Sequence, residues 1–67
     1  MNLIEGIQSE CNRVREIIKE YEELPKNAGM FAASMMKADI KEAENIIATG
    51  DVVQMLKVYQ KLKEYEL

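Results

Sequence analysis

Read for its apolar positions alone, the chain falls into three helical stretches. In the first, Ile4, Ile7, Cys11, Val14, Ile18 and Tyr21 follow at steps of 3, 4, 3, 4 and 3, the seam of a helix that turns one stripe toward a neighbour. Leu3, Ile17 and Leu24 widen the stripe, and the other faces carry Glu10, Arg13, Arg15, Glu16, Lys19, Glu20, Glu22 and Glu23. Asn2 with Glu5 three residues on reads as a capping box. Pro25 disfavours helix at Leu24, so the pattern predicts a helix over about residues 3–23, about 30 Å long at 1.5 Å per residue.

Lys26, Asn27, Ala28 and Gly29 read as a loop, with Asn27 the best N-cap for the second helix and Gly29 the alternative. The second stretch, about 29–48, repeats the same steps through Ala33, Met36, Ile40, Ala43 and Ile47, broadened by Ala32, Met35 and Ile46. Gly50 suits the left-handed residue just past a helix end. Asp51 then caps the third stretch, about 52–66, with Gln54 completing a second capping box. Its face carries Val52, Met55, Tyr59 and Leu62, widened by Leu56, Val58 and Tyr65. Lys57, Lys61 and Lys63 point mostly outward near its C-terminal half, where the helix dipole favours cations. The short Thr49-Gly50 connection makes helices 2 and 3 an antiparallel hairpin, and the whole reads as an all-α, up-down-up bundle.

Length sharpens this. A chain of 67 residues is one domain, buries a small share of its surface and commonly needs a disulfide, a metal or a partner chain. One cysteine and no histidine leave no internal disulfide and no ordinary zinc site. Association with a further copy remains, and the apolar surplus on helix 3 points the same way, so a homo-oligomer is expected. Twelve acidic against nine basic residues give a net charge of −3, which argues against broad binding of nucleic acid or anionic membrane. The opening residues lack the basic start and apolar core of a signal peptide. No stretch approaches the ~20 apolar residues of a bilayer span. A cytoplasmic protein with a reduced thiol is the expectation.

Little in the sequence points to catalysis. Without histidine the commonest general base and metal ligand are missing. Cys11 sits on the helix 1 seam, as an inert buried thiol would. Glu16, Glu20 and Glu23 share a helix side, but without the Glu-x-x-His partners of a bundle metal site they read as a solvated acidic face. Arg13, Arg15 and Lys19 read as a solvated basic strip. No enzyme, no cofactor and no metal are expected.

Residues 25–40 are the exception to this plainness. They hold the only proline, the only phenylalanine and three of the five methionines, around the small Ala32, Ala33 and Ser34. A helix N-terminus offers free backbone N–H groups and partial positive charge to an anion. Lys26, Asn27, Gly29, Phe31, Ser34 and Lys37 are therefore the candidate ligand contacts, with Phe31 placed to stack on a ring. Two simpler readings compete. Either the small residues let two helices approach while Phe31 and the methionines fill the core, or Met30, Phe31, Met35 and Met36 form a soft docking patch for a protein.

Residues 25–47, Pro…Gly-Met-Phe-Ala-Ala-Ser-Met-Met-Lys-Ala-Asp-Ile-Lys-Glu-Ala-Glu-Asn-Ile-Ile, and residues 50–56, Gly-Asp-Val-Val-Gln-Met-Leu, resemble the patterns of small uncharacterised helical proteins of phages and prophages. The resemblance implies no known activity and carries over no site residue. It implies a class of roles, among them antagonism of host defence, which some small helical homo-oligomers perform by sequestering nucleotide signals between subunits. The sharpest expectation is thus an anti-defence protein that binds a phosphorylated small molecule without turning it over. The alternatives are a protein–protein module that regulates a host or phage protein, and an assembly accessory. A DNA-associated regulator fits the acidic balance less well.

Overall fold

Asn2 starts the first helix by accepting the amide of Glu5 on its side chain at 2.8 Å. The computed structural model describes residues 2–66. Helix α1 spans Leu3–Glu22, a short 3-10 turn spans Pro25–Asn27, α2 spans Met30–Thr49 and α3 spans Val52–Lys63. The described residues form a three-helix bundle in which each helix packs on both others.

The turn after α1 corrects the expected cap. Leu24 is extended ahead of Pro25, as the proline ring requires, and the chain reverses through Lys26 and Asn27, both at φ 59°. Asparagine tolerates that left-handed conformation because its short polar side chain bonds locally. Asn27 is spent on the reversal, so Gly29 takes the cap position of α2, with no side chain capping the helix. Gly29 is buried against α1: a Cβ there would lie 2.3 Å from the carbonyl oxygen of Tyr21. Only glycine lets α2 begin this close to α1.

Gly50 ends α2 at φ 74°, and its amide bonds the carbonyls of Ile46 and Ile47, so the missing side chain is used to reverse the chain into α3. Asp51 then caps α3 by accepting the amide of Gln54 at 3.2 Å.

The core is built from Ile7, Cys11, Val14, Ile17 and Ile18 of α1, Ala33, Met36, Ile40 and Ala43 of α2, and Met55, Val58 and Leu62 of α3. The fully buried Ala33 and Ala43 mark where α2 comes close to its neighbours. Several stripe positions fall outside this core. Ile4, Leu24, Val52 and Leu56 are exposed, whereas Val58, read as a flank, is 2% exposed. Short helices have more apolar positions than a three-helix core can cover.

Helix α3 stops at Lys63, short of the residue 66 its pattern suggested. Arg13 of α1 caps this end. Its guanidinium donates to the carbonyls of Leu62 at 2.8 Å and Tyr65 at 2.6 Å, and Glu10 holds it from the other side at 2.8 Å. The Leu62 carbonyl also accepts the Tyr65 amide at 3.3 Å, so the guanidinium caps the last turn beside its own backbone bonds. The molecule measures 39 × 19 × 15 Å. With α1 and α2 of 20 residues each and α3 of 12, the α1–α2 pair runs on past the end of α3, and residues 64–66 follow it until the Tyr21 hydroxyl meets the Glu66 carbonyl at 3.5 Å.

Candidate functional site

The six residues singled out from the sequence sit at this open end of the α1–α2 pair, but they do not converge. Gly29 is consumed by its contact with Tyr21. Lys26 and Asn27 are exposed on the turn. The ammonium of Lys37 donates to the Glu22 carboxylate of α1 at 2.5 Å, so a negative charge already occupies the place an anion would seek. Phe31, Ser34 and Lys37 recur at steps of three, which carries Lys37 about 120° around the helix from Phe31.

This end also exposes apolar side chains. Phe31 is 79% exposed, and Met30, Met35 and Leu24 are each close to half exposed. Phe31 and Met35 stand four residues apart and so share one face of α2. Only Met36 of this run enters the core, at 1% exposure. The reading in which Phe31 and all these methionines fill the interior is therefore corrected: the third helix that would cover Phe31 and Met35 ends too early. Its last turn meets α2 at Asp39, where Lys61 reaches the carboxylate at 3.2 Å. Beyond that point Met30–Ala38 extends for about 13 Å at 1.5 Å per residue.

Asp39 is not marked as a site by its place in the sequence. It is 8% exposed and accepts the hydroxyl of Tyr65 as well as the Lys61 ammonium. Lys61 also reaches Glu42 at 3.8 Å, its side chain still half exposed, so it bridges α3 to α2 along the outer edge of their interface. Burial, and then the hydrogen bond to Asp39, push the Tyr65 phenol up to about 12. The hydrogen bond to the same carboxylate raises Lys61. Both groups hold their protons near neutrality and fasten α3 to α2. One signal in the sequence bears on this: Asp39 lies at the edge of the stripe Met36, Ile40 and Ala43, where a carboxylate needs partners. Arg13, read as part of a solvated strip, is likewise committed to the end of α3.

Two grooves lie elsewhere. One, of about 480 Å³, runs between α1 and α2 and is lined by Gln8, Cys11, Asn12, Arg15, Glu44 and Ile47. Arg15 donates to Asn12 at 2.8 Å and approaches Glu44 at 4.0 Å, so its charge is already answered. Burial raises the Cys11 thiol, against the lowering field of Arg15, and keeps it protonated and unreactive. The other groove, of about 470 Å³, is mostly apolar and lies at the opposite end, lined by residues that include Ile4, Gly50, Val52 and Met55. Neither contains any of Lys26, Asn27, Gly29, Phe31, Ser34 or Lys37.

Among the described residues, no cluster of three or more His, Cys, Asp or Glu side chains is placed to hold a metal ion. No helix there is long and apolar enough to cross a membrane. Comparison with protein-family models, with curated proteins and with solved structures gives no match.

Proposed function

We propose that this chain works by binding and not by catalysis, as a small cytoplasmic protein-interaction module whose working surface is the open end of the α1–α2 pair. The observation that carries this reading is Phe31, 79% exposed, with the half-exposed Met35 one turn on along the same face of α2. An exposed aromatic ring with a flexible methionine beside it on the helix is the composition of an adaptable docking surface. The resemblance of residues 25–47 and 50–56 to small phage proteins makes a host or phage protein the expected partner, and interference with host defence the setting.

The reading with a phosphorylated small molecule, such as a nucleotide signal, draws on the free amides at the start of α2 and on Lys26. It is the weaker reading because Glu22 sits on Lys37.

A photo-crosslinking amino acid placed at position 31 in cells tests the preferred reading, with the same group at Asn45, exposed on α2, as control. A discrete protein adduct at position 31 and none at position 45 is expected. Absence of an adduct at position 31 would count against the surface. Calorimetry with cyclic and linear nucleotides gives the other arm: micromolar binding abolished by Phe31→Ala and Lys37→Glu would restore the phosphate-ligand reading.

A further inference from the structure

We propose that Met35 is an oxidation switch: a hydroperoxide converts its thioether to the sulfoxide, and the sulfoxide turns the Phe31–Met35 face off. The inference rests on the reading of that face as a contact surface and adds its regulation.

The chain carries two kinds of oxidisable sulfur, and the fold treats them differently. Cys11, the single cysteine, is 4% exposed among the side chains of the core. A thiol reacts as its thiolate, and burial keeps Cys11 protonated. The group that ordinarily meets an oxidant first is thereby withdrawn. A thioether needs no deprotonation, so access decides which methionine reacts. Met30 and Met35 are 46% and 49% exposed, whereas Met36 and Met55 are 1% and 4% exposed. Met35 and Met36 make the comparison most closely. They are neighbours on the same stretch of α2, yet one is open to solvent and the other lies in the core.

Placement sets Met35 apart from Met30. Met35 stands four residues past Phe31 and shares its face of the helix, whereas Met30 is one residue before it, about 100° around the axis. In the reaction a sulfur lone pair of Met35 attacks one oxygen of hydrogen peroxide. The S–O bond forms as the O–O bond breaks. The sulfur gives up two electrons, and the leaving hydroxide takes the proton of the transferred oxygen and departs as water. The product is a polar side chain in place of a flexible apolar one. On the open face it is hydrated, so the bundle keeps its packing. Under a partner the S–O group would lose its water without a matching donor, and the contact is penalised. Sulfoxide reductases reverse the change, which makes it a switch and not only a lesion.

The test uses the purified chain with a photo-crosslinking amino acid at position 31. It is treated with hydrogen peroxide, freed of the peroxide, mixed with cell lysate and irradiated. Peptide mass spectrometry locates the added oxygen, and circular dichroism follows the fold. Oxygen should reach Met30 and Met35 before Met36 or Met55, with the melting curve unchanged. The yield of the protein adduct should fall at least ~10-fold, and reductases for both sulfoxide epimers should restore it. The same chain with Met35→Leu should give equal yields with and without peroxide, whatever its own yield, although Met30 is still oxidised. Oxidation of Met36 or Met55 as early as Met35 would overturn the proposal. So would a loss of adduct that persists in Met35→Leu or after the reductases. A yield unmoved by the Met35 sulfoxide would overturn the switch and leave the interaction reading standing. No adduct before any treatment would remove that reading, and the switch with it.

Discussion

The hydroxyl of Tyr65 donates to the buried carboxylate of Asp39, tying the backbone just past α3 to the middle of α2. That bond and the Lys61 ion pair at 3.2 Å settle where α3 stops along α2, and hence how much of α2 stays uncovered. The length of α2 left uncovered by α3 is thus defined by a polar cluster and not by the apolar pattern.

The cluster makes stability sensitive to alkali. The Tyr65 phenol is raised to about 12 in the folded chain, against about 10 when unfolded. A raised group stabilises fully below its unfolded value and loses that contribution as pH climbs to its folded value. The melting temperature should therefore fall between about pH 10 and pH 12. Lys61, raised by the same carboxylate, and Cys11, raised by burial, act in the same direction. Tyr65→Phe should cost about 1–2 kcal/mol near neutrality and flatten the alkaline fall. Thermal melts across that range, monitored by circular dichroism, read both effects.

Arg13 fastens the other side of the same end. Its guanidinium serves two carbonyls and Glu10 at once, a geometry the single ammonium of lysine does not reproduce. Arg13→Ala should destabilise the fold by about 2 kcal/mol, and Arg13→Lys should recover little of it. Urea denaturation gives the energies. Hydrogen exchange should show the amides of residues 62–66 opening faster in both variants.

The glycines separate two kinds of constraint. Gly29→Ala puts a methyl group 2.3 Å from the Tyr21 carbonyl, so the α1–α2 contact must open, at about 2–3 kcal/mol. Gly50→Ala meets nothing within 4 Å and faces only the strain of its φ of 74°, about 1 kcal/mol. Denaturation midpoints for the two variants should rank in that order.

Much of the architecture is legible from spacing. The seams through Ile7, Cys11, Val14 and Ile18 and through Ala33, Met36, Ile40 and Ala43 are core, and Asn2, Gly50 and Asp51 sit at helix ends as their chemistry requires. The rest depends on tertiary relations that periodicity does not carry. Val58 replaces Val52 in the core because the rotation of α3 follows its packing on both partners. Asn27 loses the cap because the tip needs two left-handed residues. Arg13 and Asp39 read as ordinary surface charges until the end of α3 is placed against them. Residues 25–40 stand out in the sequence by their composition, but the composition does not say how the fold uses them. Lys37 and Gly29, read as anion contacts, serve an ion pair and a helix crossing. Phe31, one of the six, is left on the outside.

The methionine methyl groups report most directly on whether that outside surface is a contact. Met35 shares the exposed face of Phe31, whereas Met36 and Met55 are buried at 1% and 4% exposure. Two-dimensional NMR of methyl-labelled protein, with and without the protein captured by the crosslink at position 31, separates them. The Met35 signal should shift when that protein is added to the wild type and stay in place in Phe31→Glu, while Met36 and Met55 hold still in both. An unmoved Met35 signal, or changes confined to Val53 and Leu56 at the opposite end, would contradict the assignment of the Phe31–Met35 face as the surface through which this protein acts.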